Sequence, residues 1–383
     1  MVKRGIANKI KLMASKMPVI YIAGPRQSGK TTLVKMCFPD YKYVNLENPD
    51  TKEEVVSNPH LFLNSSEKGL IIDEIQNYPK LLSHIQTIIS DEHKRPGKFV
   101  ITSSQNLLIS KKTSGLLNKI FVIHLFPFSL AELSETDFKM ESFDKYIEKG
   151  FYPRIYDKKI EPKFFYPFYI QSYVEGGLKR NASNLASFQK FMRFAAGRTG
   201  QLFSYNGIAA EIGVDLKTIR SWFSVLEKNF IIFFLQPYNK NFSEQSIKTS
   251  KFYFYDTGLA YSLLGIKKDS DLKSHWARDA LFENMVIADL HKNYFNKAIQ
   301  PPLYFWHDNS GNEIDCIIDE GENTKCIEIK SSATVSSNLF NGLNFYRTLD
   351  ESTLPYLVYG GHEDSKMKEA MVVGWNKLGL IEN

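Results

Sequence analysis

At 383 residues the chain is long enough for two to three domains of roughly 150 residues, each with its own core, which excludes a single small module. With 43% hydrophobic and 23% charged residues, and no Ser, Gln or Pro tract, it is not a mostly disordered chain. Three scattered cysteines, Cys37, Cys316 and Cys326, exclude a disulfide framework or zinc cluster and fit a reducing, intracellular and cytoplasmic setting.

The net charge of +6 is unevenly spread. Residues 1–150 carry 21 Lys and Arg against 16 Asp and Glu, residues 151–243 carry 13 against 6, and residues 244–383 carry 14 against 20. The basic middle suits a polyanion, and it is equally an ordinary solvated face. The N-terminus has early positive charge, but its apolar run from Pro18 to Ala23 is too short for a signal peptide and lacks a cleavage site. No stretch approaches about 18 uninterrupted apolar residues, so no membrane span is expected.

In chain order, the apolar runs PVIYIAG, YKYVNLE, LFLNSSEK, GLIIDEI, PKLLSHIQTIISDEH and KFVITSS alternate with polar, helix-like stretches. Short continuous runs of Ile, Val and Leu between helices predict strands buried on both faces, hence a parallel α/β sheet. The middle reads helical from about Ser187 to Glu227. The last third predicts a helix near Ala277 to Asn293, then the strands LYFWHD, EIDCIID, TKCIEIKSS and LPYLVYGG.

Gly24, Pro25, Arg26, Gln27, Ser28, Gly29, Lys30 and Thr31 fit G-x-x-x-x-G-K-[ST], directly after the predicted strand Val19 to Ala23 and before a helix; Thr32 follows. Gly24 and Gly29 let backbone N–H groups approach the phosphates of ATP or GTP. Lys30 neutralises β and γ phosphates, Thr31 ligates Mg²⁺, and the helix N-terminus faces the same charge. Leu70 to Glu74 is an apolar strand ending in two carboxylates, Asp73 for Mg²⁺ and Glu74 as general base for the attacking water. A further strand, Lys98 to Thr102, precedes Ser103, Ser104 and Gln105. Thr102, Ser104 and Gln105 are candidates to contact the γ phosphate.

Tyr205 to Trp222 reads as helix, Gly-containing turn and helix, with Ile208, Ile212, Val214, Ile219 and Leu226 spaced to close a small core and Asp215 capping the second helix. Lys217, Thr218, Arg220 and Ser221 would then face solvent, as side chains that contact DNA do, and IIFFLQPY with SKFYFYD would supply the wing of a winged helix. Such a unit also serves as a packing or lid module. Asp315, Glu328 and Lys330 form a D-x(n)-E-x-K pattern on two strands, the acids as Mg²⁺ ligands and the lysine beside the attacking water; Glu283, on the preceding helix, is a further candidate metal-binding acid. The net acidity of this third weighs against DNA cleavage.

The segments GPRQSGKTTL, LIIDEIQ, FVITSSQ and LFPFSLAEL, with RTGQL, FYFYDTGLA and GNEID…IEIKSS far downstream, resemble a family of bacterial and archaeal AAA-type ATPases. In that family a P-loop module is joined to a C-terminal domain of unknown function with a restriction-endonuclease-like core. The likeness runs roughly from Met17 to Leu357 and implies an ATPase with no defined substrate. Where family members often carry an arginine after the sensor strand, this chain has Gly115-Leu116-Leu117-Asn118-Lys119, and Lys119 lacks the planar fork of an arginine finger. The expected arrangement is an AAA-type P-loop core over 1–140, a helical lid and winged helix over 141–243, and an α/β endonuclease-like domain over 244–383. Three roles stay open: a nucleotide-driven switch on DNA, an ATP-gated nuclease, and a signalling or assembly ATPase that binds a protein partner, with a homo-oligomer compatible with each.

Overall fold

The computed structural model describes residues 2–90, 95–107, 119–177, 182–239, 249–321 and 323–382, the side chains of 174–177, 182–184, 269 and 270 excepted. The chain divides into two compact units.

The first unit runs to Phe128 and takes in Lys228–Ile231 and Asn293–Ile299. Its strands are β1 (Val19–Ala23), β2 (Lys42–Asn45), β3 (Leu70–Asp73), β4 (Phe99–Ser103) and β5 (Ile120–His124); its helices are α1 (Ala7–Ala14), α2 (Lys30–Cys37), α3 (Pro49–Ser57), α4 (Pro59–Leu63) and α5 (Leu81–Ser90). The LFLNSSEK and PKLLSHIQ runs are thus helical at α4 and α5. The sheet is parallel throughout, in the order β2-β3-β4-β1-β5. All residues of β1, β3 and β4 are buried, as expected for strands covered on both faces. Ile20, Ile22, Ile71, Val100 and Ile123 pack with Leu33 and Val34 of α2 and with Ile6 and Ile10. Because β4 lies between β1 and β3, the segments leaving the carboxyl ends of these three strands converge on one edge.

The second unit holds Ser129–Glu227, Ile232–Lys292 and Gln300–Asn383. Its helical part comprises α6 (Leu130–Ser134), α7 (Phe143–Lys149), α8 (Pro153–Asp157), α9 (Pro162–Gly177), α10 (Ala182–Gly197), α11 (Tyr205–Ile212), α12 (Leu216–Lys228), α13 (Thr257–Leu264), α14 (Asp269–Lys273), most of α15 (Arg278–Asn296) and α16 (Asn341–Leu349). Strands β6 (Ile232–Pro237), β7 (Lys251–Phe254), β8 (Leu303–His307), β9 (Glu313–Asp319), β10 (Thr324–Lys330), β11 (Leu354–Tyr359), β12 (Ser365–Lys366) and β13 (Met371–Gly374) form a mixed sheet, ordered β12-β13-β11-β10-β9-β8-β6-β7.

The two strands expected as a wing are β6 and β7. They pair antiparallel, and β6 also pairs in parallel with β8, so they extend the large sheet instead of standing apart from it. Buried side chains on both faces, Ile232, Phe233 and Leu235 on β6 and all of β7, make them sheet-core strands. The expected boundary at 243/244 therefore falls between two paired strands. Among the described residues, no helix is long and apolar enough to cross a membrane.

Candidate functional site

Gly24 leaves β1 at φ 157, and its N–H donates to the Ser103 carbonyl at 3.2 Å. A Cβ there would lie 2.0 Å from the carbonyl oxygen of Leu125, so only glycine fits. Gly29, at φ 95, caps the N-terminus of α2 without any side-chain cap, which leaves first-turn amides to an outside acceptor. Ser28 is wholly buried and its hydroxyl has no partner. From behind, Arg4 holds the loop: Nη1 donates to the Ser28 carbonyl at 3.0 Å and Nη2 to that of Phe126 at 2.7 Å.

Lys30 is 4% exposed. Its Nζ donates to the carbonyls of Gly24 at 2.9 Å and Pro25 at 2.8 Å and to Ser104 Oγ at 3.0 Å. Burial pushes its ammonium down to about 8, against the opposing pull of Glu74 and Asp73. Thr31 Oγ1 donates to Asp73 Oδ2 at 2.7 Å, as does the Tyr43 hydroxyl at 2.7 Å, and Thr102 donates to Asp73 Oδ1. Glu74 has a left-handed backbone, φ 59, and its N–H donates to Thr102 Oγ1 at 3.1 Å. Its carboxylate accepts Ser104 Oγ at 2.8 Å and the Gln76 amide.

The expected residues Gly24, Ser28, Gly29, Lys30, Thr31, Asp73, Glu74, Thr102 and Ser104 are thus brought together. Arg26 and Thr32 are exposed beside them. Gln105 is exposed as well, and it joins the network through its backbone: its carbonyl accepts Ser103 Oγ at 2.7 Å and its N–H donates back at 3.1 Å. Sequence reasoning missed Arg4, Tyr43 and Gln76. Gln76 had a signal, two positions beyond Glu74 in LIIDEIQ; Tyr43 reaches Asp73 from the neighbouring strand, with no local signature. Lys119 Nζ lies 3.4 Å from Ser90 Oγ, and Gly115 to Asn118 fall outside the described residues.

The carboxyl-terminal acids form a different kind of site. Asp315 Oδ2 accepts the Ile329 N–H at 2.7 Å and Lys330 Nζ at 3.2 Å, and Lys330 Nζ lies 2.8 Å from Glu328 Oε2. Glu283 Oε1 accepts the Tyr253 hydroxyl at 2.6 Å and lies 3.9 Å from Lys251 Nζ, which also pairs with Glu313. Burial pushes the Glu328 carboxyl up, with Asp315 adding to it; burial likewise pushes Glu283 up to about 7, with Lys251 pulling it back. Burial works against the Asp315 carboxylate too, yet Lys330 and Lys251 hold it below its usual range.

Glu283, Asp315 and Glu328, the expected Mg²⁺ ligands, each pair with a lysine ammonium, Lys330 for Asp315 and Glu328 and Lys251 for Glu283. Among the described residues, no group of three or more His, Cys, Asp or Glu could hold a metal ion. Lys251 was not foreseen, since it sits on a strand 64 positions before Asp315.

On α12, Lys217, Arg220 and Ser221 are exposed, whereas Thr218 is half-buried and bonds Asp215 through both its N–H and its hydroxyl, each at 2.8 Å. Asp215 thereby caps the helix as expected, and those two bonds lower its carboxyl. Ile208, Ile212, Ile219 and Leu226 are buried with Trp222 and Phe223, while Val214 is only half-buried.

Residues 16–134 match the family described as AAA domain, and residues 140–270 and 278–378 match two families described as Domain of unknown function, DUF8612 and DUF4143. Uncharacterized proteins of Mycobacterium tuberculosis and Mycobacterium bovis are each 25% identical over 343 residues, 87% of this chain and 75% of their own length. A Walker-type ATPase of Pyrococcus abyssi is 12% identical at a TM-score of 0.44, covering 69% of this chain and 96% of its own. RuvB of Thermotoga maritima is 16% identical at a TM-score of 0.31, covering 60% of this chain and 88% of its own. The segment matched over residues 16–134 thus has a parallel α/β core resembling a P-loop ATPase, with a phosphate loop, an acid strand and β4 between them.

Proposed function

We propose that this chain binds MgATP at the carboxyl edge of β1, β3 and β4 and hydrolyses it. The observation that carries the reading is the meeting of Thr31 Oγ1 with Asp73 Oδ2 at 2.7 Å beside a buried Lys30. A hydroxyl and a carboxylate are the hard oxygens that Mg²⁺ takes, so Thr31 and Asp73 would hold it, and it would offset phosphate charge. The uncapped α2 N-terminus and the amides of the loop receive the phosphate oxygens. Lys30 exchanges its carbonyl partners for the β and γ phosphates. Glu74 takes a proton from the water whose oxygen attacks the γ phosphorus, and the bond to the bridging oxygen breaks to release ADP.

The account is tested by ATP turnover of the wild type against Lys30→Ala and Glu74→Gln. Turnover lost in both variants supports it, and turnover retained in both removes it.

A second step, action on DNA, is favoured by one feature: Lys217, Arg220 and Ser221 lie exposed on one capped helix in the basic part of the chain. In this reading, nucleotide state alters the affinity of α12 for duplex DNA. Each of Lys217→Ala and Arg220→Ala should weaken duplex binding and reduce the slope of log affinity against log salt by about 1. Binding to duplex that is absent at low salt would leave a protein partner as the target.

A further inference from the structure

Glu74 is fixed by contacts that the hydrolysis reading does not yet use. Its backbone occupies the left-handed region, φ 59, which few residues other than Gly, Asn and Asp adopt, so the direction of its side chain is imposed by its surroundings. One carboxylate oxygen, Oε1, accepts Ser104 Oγ at 2.8 Å, and the other, Oε2, accepts Gln76 Nε2.

The two donors are anchored differently. Gln76 Oε1 accepts the Ser104 N–H at 3.2 Å and lies 3.0 Å from Ser103 Oγ, whose proton it shares with the Gln105 carbonyl, so the end of β4 holds the amide with its nitrogen toward Glu74. Ser104 Oγ is instead shared: it accepts Lys30 Nζ at 3.0 Å while donating to Glu74. A hydroxyl has one proton to give. When Lys30 leaves for phosphate, Ser104 loses its donor and meets a charged acceptor in its place. Turning its proton to a phosphate oxygen opens Oε1, while Oε2 stays on Gln76.

We infer that Gln76 is a positioning residue for hydrolysis, pinning Glu74 Oε2 so that Oε1 is the oxygen presented to water, and that Ser104 is the relay that opens Oε1 when Lys30 engages phosphate. This rests on the hydrolysis reading above. It gives the γ phosphate a direct route to the general base: the ammonium that binds the phosphate is the one that releases the hydroxyl. Gln76 acts only through Glu74, so its removal should affect the chemical step and leave nucleotide binding alone.

The test is steady-state turnover and ATP-binding calorimetry on the full chain carrying Gln76→Ala or Gln76→Met, the latter keeping volume without a donor, each also combined with Glu74→Gln. Misplacing a general base costs on the order of 10²-fold, so kcat should fall by that order with KM and Kd unchanged, and neither substitution should lower the residual turnover of Glu74→Gln further. Wild-type kcat in either single variant overturns the inference, as does a full additional loss in the Glu74→Gln background, which would mark Gln76 as a general structural residue. If Lys30→Ala abolishes turnover while Gln76→Ala does not, only this inference falls. A wild type that turns over no ATP overturns it together with the hydrolysis reading.

Discussion

The Thr31 hydroxyl donates to Asp73 Oδ2 at 2.7 Å, joining the first turn of α2 to the end of β3 across 42 residues of sequence. Asp73 is 1% exposed and also takes hydroxyls from Tyr43 and Thr102, so three donors satisfy a carboxylate that burial alone would disfavour. The insertion of β4 between β1 and β3 is what makes this possible, for it brings Thr102 and Ser104 between the loop and the acids.

Nucleotide affinity should depend on the protonation of Lys30. Burial lowers its ammonium to about 8 from 10.5, so in the free protein it loses its proton above about pH 8 while the unfolded chain keeps it until about 10.5. The unfolded state then holds more protons over that window, and this group's contribution to stability rises with pH from about 8 to 10.5. A phosphate favours the charged form, so binding takes up a proton and affinity falls as pH rises through about 8. Calorimetry of ATP binding in buffers of different ionisation enthalpy reads that uptake directly.

Gly24→Ala should destabilise the first unit by roughly 1–3 kcal/mol, because the added Cβ meets a backbone carbonyl that cannot rotate away. Its ideal position is 2.0 Å from Leu125 O. Thermal melting checks the loss, and retention of the wild-type melting temperature would show that the loop and the segment after β5 can separate.

Lys251→Met should expose the electrostatic role of the lysine between Glu283 and Glu313. Lys251 is 3% exposed and Glu283 18%, and removing one partner of a buried pair costs roughly 3 kcal/mol. Burial already raises Glu283 to about 7, so the folded state keeps a proton that the unfolded state sheds near 4.5, and this group's contribution to stability declines as pH rises between those values. Without the ammonium the carboxyl rises further, so the loss relative to wild type should be larger at pH 8 than at pH 5.5. Equal losses at both would contradict the assignment.

The phosphate loop was legible because its chemistry is local: eight consecutive residues between a strand and a helix define a cradle. Asp73, Glu74 and Ser104 could be read because each stands at the end of a short apolar run. Tyr43, Arg4 and Lys251 could not, since each reaches its partner across strands that no spacing rule links. The acid pattern around Asp315 and Glu328 falls on adjacent strands, β9 and β10, and the lysine that pairs with Glu283 and Glu313, Lys251, arrives from β7. Alternating aromatic strands next to a helix pair predict a hairpin, and only the long-range pairing of β6 with β8 shows which sheet it joins.

The most direct measurement of the central claim is a calorimetric titration of the folded full chain with ATP and Mg²⁺. One saturable site per chain, lost in Lys30→Ala, is the predicted result. Heat that is absent in the wild type, or unchanged in Lys30→Ala, would contradict it.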